Sequence, residues 1–224
     1  MKVKGLILSM ALLLGVSSAW ADDNVSVVRP LSIKAGQTQK VAIALENAKA
    51  YTAFQMDIKL PTGLTLSNPK SLRTSDATFH NITAGEVEGV TRVVALSYKE
   101  ESDGSVLAGN GNKDFLNNSE IILFFDITAA ADYADNGNIE VKNVKFVSAD
   151  GTTQTMADAS SASGLILGDA NGDKNVDTKD AIKLVEQYLG KNPSDFDKKA
   201  ADITLDGTFD TKDAIQIITV YLGK

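Results

Sequence analysis

Between about residues 25 and 146 apolar residues recur mainly at every second position, the period of a strand with one buried face. Val41, Ile43 and Leu45 fall on one side of such a strand, and Phe54, Met56, Ile58 and Leu60 on one side of the next. Turn-forming clusters separate the runs, at Ala35-Gly36-Gln37, Pro61-Thr62-Gly63, Asp103-Gly104-Ser105 and Asn110-Gly111-Asn112. Further strands are predicted around 90–98, 121–127 and 139–146. Eight or nine short strands and no long helix predict a mainly β sandwich of two antiparallel sheets over residues 22–150. Ile121-Ile122-Leu123-Phe124-Phe125 is apolar on both faces. It is predicted to run centrally, its second face covered by a loop or a partner, because an edge position would expose an aggregation-prone ribbon. Tyr51, Phe79 and Tyr98 read as packing residues, with surface recognition of a glycan or protein as the alternative.

The alternation stops after Asp150. Gly151-Thr152-Thr153-Gln154 and Ala159-Ser160-Ser161-Ala162-Ser163-Gly164 predict a flexible linker over residues 151–164, leaving 165–224 as a separate small module. That module is duplicated. Asp177-Thr178-Lys179-Asp180-Ala181-Ile182 recurs as Asp210-Thr211-Lys212-Asp213-Ala214-Ile215, and Tyr188-Leu189-Gly190-Lys191 recurs as Tyr221-Leu222-Gly223-Lys224, both at an offset of 33 residues. Ile182, Val185 and Leu189 share a helical face, as do Ile215, Ile218 and Leu222. The two stripes predict two helices packed against each other, with Leu184 and Ile217 widening them toward the seam. A short helix is predicted between the repeats, beginning in Ser194-Asp195-Phe196-Asp197 with Asp197 in its first turn and ending near Ala201.

The duplicated unit begins with an acidic loop. In the first copy the loop runs from Asp169 to Asp180, and positions 1, 3, 5, 9 and 12 are Asp169, Asn171, Asp173, Asp177 and Asp180, with the carbonyl of Asn175 at position 7. In the second copy the same positions are Asp202, Thr204, Asp206, Asp210 and Asp213, with the carbonyl of Thr208 at position 7. Alternating hard oxygens in a tightly curled loop suit Ca²⁺, which takes six to eight of them, better than Mg²⁺, which keeps its waters in a strict octahedron. Asp169, Asn171, Asp173 and Asp180 are predicted as direct ligands, with Asp177 direct or through water, and two calcium ions are expected in all. Gly207 gives position 6 of the second loop its usual freedom, whereas the first has Lys174 there and the second has the neutral Thr204 at position 3. Carboxylates crowded in this way repel one another, so a cation should both neutralise and order the module.

Composition narrows the rest. Hydrophobic residues make up 43% and charged residues 23% of 224, the make-up of a globular chain. Lys2 and Lys4 precede an apolar run that ends in Ala19-Trp20-Ala21, a small-x-small pattern that a signal peptidase accepts. Residues 1–21 are therefore expected to be a cleaved export signal, with no stable membrane insertion and with the product secreted, periplasmic or held at a cell surface. Loss of Lys2 and Lys4 would take the net charge from −7 to −9, which opposes nucleic-acid binding. The chain has no cysteine, so disulfides and thiolate metal sites are excluded. His80 is the single histidine, with no hydrolase or zinc motif around it, and Glu86, Glu88, Glu100 and Glu101 offer carboxylates without a recognisable catalytic pairing. No enzymatic activity is expected.

On its two loops, the helices that follow them and the missing entering helix, the segment 165–224 resembles a dockerin, the calcium-binding docking module of secreted proteins from polysaccharide-degrading bacteria. That resemblance implies a cohesin-type partner met by loop positions 10 and 11, here Thr178, Lys179, Thr211 and Lys212. Many members carry a hydroxyl residue at position 11, where this chain has lysine twice. Residues 32–45 and 53–64 more weakly resemble a cohesin-like or carbohydrate-binding sandwich of secreted proteins from Bacteroides-like bacteria. The function implied is an exported, noncatalytic adaptor whose sandwich is a second recognition module for protein or glycan. The alternatives are a polysaccharide-active enzyme or glycan-binding module carried by a dockerin, and a protein that self-associates through sandwich–dockerin contacts.

Overall fold

The computed structural model describes residues 23–47, 49–71, 80–100, 106–108, 120–148 and 150–223. The expected export signal, Phe79, Glu101 and the turns at 103–105 and 110–112 lie outside the described residues. The strands are β1 (Asn24–Arg29), β2 (Thr38–Glu46), β3 (Ala53–Lys59), β4 (Leu64–Lys70), β5 (His80–Val87), β6 (Val90–Glu100), β7 (Val106–Ala108), β8 (Glu120–Ala129), β9 (Glu140–Val147), β10 (Thr153–Thr155), β11 (Ala159–Ser160) and β12 (Leu165–Ile166). The helices α1 (Thr178–Tyr188), α2 (Lys198–Ala201) and α3 (Thr211–Tyr221) follow.

Among the described residues the strands form two sheets, one ordered β12-β1-β2-β8-β4 and the other β10-β9-β3-β6-β5, with β11 also on β9 and β7 on β6. The pairings are antiparallel except that of β12 with β1. The inward residues of both sheets, among them Val27, Ile43, Leu45, Phe54, Met56, Phe125 and Phe146, make one buried core, as the alternation predicts. Tyr51 is fully buried in that core, its ring 5.0 Å from that of Phe146 and its hydroxyl on the Asp23 carboxylate, so it packs and recognises nothing.

β8 lies between β2 and β4, in the central position predicted for it. Its register against β2 shifts between Ile43 and Ala44, where Ile43 faces Leu123 and Ala44 faces Ile121. The extra residue, Ile122, lets Ile122 and Leu123 both enter the sandwich core while Ile121 points to the other side of the sheet. That side is covered by the chain itself. Val28, Ala42, Ala44 and Ile121 are buried in a second cluster with Leu167, Leu184, Ile203, Leu205 and Ile217 of the C-terminal module.

Two expectations about the junction are therefore corrected. Residues 151–164 are not a free linker, because β10 and β11 are both paired with β9, and β12 then pairs with β1 through Val28–Leu165 and Arg29–Ile166. Backbone pairing needs no apolar pattern, which is why a Ser-, Thr- and Gly-rich stretch concealed it. Gly164 passes so close to β1 that a Cβ there would stand 2.2 Å from the carbonyl oxygen of Val27. The module that follows is consequently seated on the sandwich and not tethered apart from it.

One charged group is sunk into the outer face of the other sheet. Asp57 of β3 is 2% exposed and accepts from Arg92 Nε and Nη2 at 2.7 and 2.8 Å and from Asn143 Nδ2 at 2.8 Å. Asn143 reaches it from a left-handed position, φ 51°, where β9 slips register against β3. The Arg92 guanidinium holds the Asp57 carboxyl below its ordinary value, burial opposing. A carboxyl lowered in the folded state adds stability above its unfolded pKa of about 3.9, and that contribution disappears as the pH falls through the lower folded value. Asp57→Asn should flatten this acid limb and lower stability at neutral pH by about 1–3 kcal/mol, measured by urea unfolding from about pH 3 to pH 7.

Candidate functional site

The repeated sequence builds two closely similar loop–helix units. In the first, Asp169 Oδ1 accepts from Asp173 N at 3.0 Å and Oδ2 from Lys174 N at 2.9 Å, curling the chain around its own carboxylate. Asp180 closes the loop by accepting from Asn171 N at 3.1 Å and Asp177 N at 2.8 Å. Asn171 Oδ1 accepts from Asp173 N at 2.8 Å, and Asp173 Oδ1 accepts from Asn175 N at 2.9 Å. Asp177 caps α1, and with Asp180 it forms a reciprocal capping box.

The second unit repeats these bonds. Asp202 accepts from Asp206 N at 3.1 Å and Gly207 N at 2.8 Å, and Asp213 accepts from Thr204 N and Asp210 N, both at 3.1 Å. Asp210 caps α3 in the same box. Thr204, which lacks a carboxylate, donates its hydroxyl to Asp213 Oδ1 at 3.0 Å, and Thr208 donates its hydroxyl to Asp206 at 2.6 Å. The short helix α2 is capped by Asp197, which lies just before its first turn and not within it, accepting from Lys199 N and Ala200 N.

Asp169, Asp180, Asp202 and Asp213 are each no more than 3% exposed. Burial pushes the carboxyls of Asp169, Asp180 and Asp202 up, with backbone N–H donors opposing and neighbouring aspartates adding to the rise. Asp173 and Asp206 stand at the rim and are pulled down, the former chiefly by the Asn175 N–H and the latter by the Thr208 hydroxyl. Among the described residues no three His, Cys, Asp or Glu side chains converge as a metal cage. The donor set nevertheless fits a hard cation, being composed of oxygens, several of them carboxylates taken out of water beside one another. Lys179 Nζ lies 3.9 Å from Asp173 and 3.7 Å from Asp177, and Lys212 Nζ lies 3.5 Å from Asp206 and 3.4 Å from Asp210.

Helices α1 and α3 do pack against each other, as predicted, but the stripes are not what they bury. Leu184 and Ile217 are fully buried, whereas Ile182, Leu189, Ile215 and Leu222 are 57–67% exposed and Val185 is 37% exposed. The side of each helix bearing Leu184 or Ile217 turns into the cluster shared with the sandwich, and this leaves the predicted stripe outward. It lines an open groove of about 610 Å³ between α1 and α3, in which Ile182, Val185, Leu189, Ala214, Ile215 and Ile218 are apolar and Thr178, Glu186 and Lys191 are polar.

The pattern reading missed the residues that seat the module. Ile203 and Leu205, at positions 2 and 4 of the second loop, are 9% and 3% exposed within the shared cluster. Lys40 of β2 donates to the Thr204 carbonyl at 3.3 Å, and Lys199 pairs with Glu46 at 3.5 Å. Leu205 holds φ 55°, the left-handed region that glycine occupies at the same position of the first loop, Gly172 at φ 76°. Such a backbone costs a side-chain-bearing residue about 1–2 kcal/mol, whereas burying a leucine contributes about 1.5–3 kcal/mol. The signal was available as the contrast between Ala170 and Gly172 in one copy and Ile203 and Leu205 in the other.

Residues 167–221 match the family model of the dockerin type I domain. Dockerin type I domains generally bind calcium. The sandwich region is similar to solved cohesin modules, though distantly. The cohesin module of a Clostridium perfringens family 33 glycoside hydrolase is 15% identical with a TM-score of 0.46, over 64% of this chain and 96% of that one. A non-cellulosomal cohesin from Archaeoglobus fulgidus is 11% identical with a TM-score of 0.39, over 64% and 91%. The sixth cohesin of Acetivibrio cellulolyticus scaffoldin B, solved with a Cel5 dockerin mutant, is 14% identical with a TM-score of 0.43, over 62% and 96%. No curated relative matches the chain. Among the described residues no helix is long and apolar enough to cross a membrane.

In the dockerin module, Asp180→Ala would remove one half of a capping box and leave the N–H groups of Asn171 and Asp177 without their carboxylate. A loss of about 1–3 kcal/mol in module stability is expected, read by loss of far-UV helical signal in chemical denaturation.

Proposed function

We propose that the chain is a noncatalytic adaptor whose dockerin module, ordered by two calcium ions, docks to a cohesin-type partner through the α1–α3 groove. The observation carrying this reading is that both helices expose most of their apolar stripes to solvent although their other side is already buried in the cluster shared with the sandwich. A continuous apolar patch with polar ends is the usual mark of an interaction surface. Thr178 and Thr211 are the first residues of the two helices, Lys179 and Lys212 follow them, and Thr178 lines the groove. Bound calcium would supply positive charge among the loop carboxylates and so release the cost of burying them together. Asp169, Asn171, Asp173, Asp177, Asp180 and the Asn175 carbonyl would hold one ion. Asp202, Thr204, Asp206, Asp210, Asp213 and the Thr208 carbonyl would hold the other. Their N–H contacts already draw each loop into a curl, and the capping boxes transmit that curl to the first turns of α1 and α3. In this reading the sandwich is a second recognition module, and the chain acts outside the cytoplasm.

Two measurements test it. Calorimetric titration of the full chain should show about two calcium ions bound, with chelator lowering the thermal midpoint; a silent titration would overturn the metal assignment. Ile182→Asp with Ile215→Asp should leave the circular dichroism unchanged and weaken capture by a cohesin module by at least tenfold, since each side chain forfeits about 1.5–3 kcal/mol of burial. Undiminished capture would remove the groove from the interface.

A further inference from the structure

The two loops share their aspartates at positions 1, 5, 9 and 12 but differ in the apolar character of two positions between the donors. Positions 2 and 4 are Ala170 and Gly172 in the first loop and Ile203 and Leu205 in the second. Gly172 is exposed, and a Cβ placed on it would meet nothing within 4 Å. Leu205 adopts the same left-handed backbone but is buried with Val28, Ala42, Ala44 and Ile121 on the outer face of the sandwich. Lys40 of β2 also donates to the Thr204 carbonyl of the same stretch, and Lys199 of the preceding α2 pairs with Glu46 of β2. The first loop curls because glycine permits it, whereas the second carries a leucine that disfavours the curl unless its side chain is taken up elsewhere.

We propose that the outer face of the β12-β1-β2-β8-β4 sheet is a built-in receptor for the second dockerin loop, so that calcium binding at Asp202–Asp213 and seating of the module on the sandwich promote each other. This rests on the calcium reading above and adds an asymmetry to it. The alternation of the loop produces the coupling. Asp202, Thr204 and Asp206 present oxygens to the loop interior and to Asp213, while Ile203 and Leu205 between them enter the sandwich interface. One backbone conformation therefore serves both sides, and each ligand of that conformation, ion or sheet, strengthens the other by the same factor. Calcium at Asp169–Asp180 is coupled to the sheet more weakly, because the first loop enters the shared cluster only through the smaller Ala170 and Val176 while Gly172 faces solvent.

The test uses the full chain in two backgrounds. Asp169→Asn leaves the second loop as the site being titrated, and Asp202→Asn leaves the first. Ala42→Glu on the sheet face should weaken calcium binding about tenfold or more in the first background and by markedly less in the second. Adding Leu205→Gly to Ala42→Glu should restore most of the lost affinity by removing the backbone strain. Lys40→Ala, at an exposed position, gives a milder loss in the same background and stands in if Ala42→Glu disturbs the sandwich. Equal effects on both loops, no effect of either variant, or no rescue by Leu205→Gly would overturn the coupling. A chain that binds two ions but shows any of these results retains the proposed function and loses only this inference, whereas a wild-type chain that binds none overturns both.

Discussion

The organisation of this molecule depends on one apolar seam, in which the outer face of a sandwich sheet and one side of the dockerin module are buried in each other. Small residues make the approach possible. Ala42 and Ala44 stand on β2 where larger side chains would hold the module away, and Ile121 and Val28 fill the remaining space from the neighbouring strands. The module takes its own centre, Leu184 and Ile217, to the same seam. Its two apolar sides thus have different fates, one spent on the sandwich and the other left to solvent.

That division accounts for what periodicity did and did not disclose. The period-two runs were legible as strands β2, β3, β6, β8 and β9 because each turns alternate residues into the sandwich core, and the doubled apolarity of 121–125 pointed to a covered second face. The repeat at an offset of 33 residues located two matching loop–helix units because their capping aspartates and helix starts recur in register. That those helices pack together was legible, but which side of each is buried was not. A helix with apolar residues on two sides does not state which side is inside, and Leu184 and Ile217 were taken as a margin of the stripe when they are its buried centre.

The junction was opaque for a different reason. β10, β11 and β12 are two or three residues each and gain their place through backbone hydrogen bonds, for which composition offers little signal. Gly164 has a clear steric role only once Val27 is seen beside it. Electrostatics shows the same limit. The acidic positions of the loops could be read off directly, but the buried Asp57, gripped by Arg92 and Asn143 from two different strands, depends on a register slip in β9 that has no local marker.

The pairing of β12 with β1 has one more consequence. Without those two residues, β1 would end the sheet as an open ladder of N–H and C=O groups, the kind of border that recruits strands from other molecules. The segment that leads into the dockerin is therefore also a hem along the sandwich. A protease cut ahead of residue 165 would leave that hem held by its pairing and by the module's packing alone, and departure of the module would bare a border prone to edge-to-edge association.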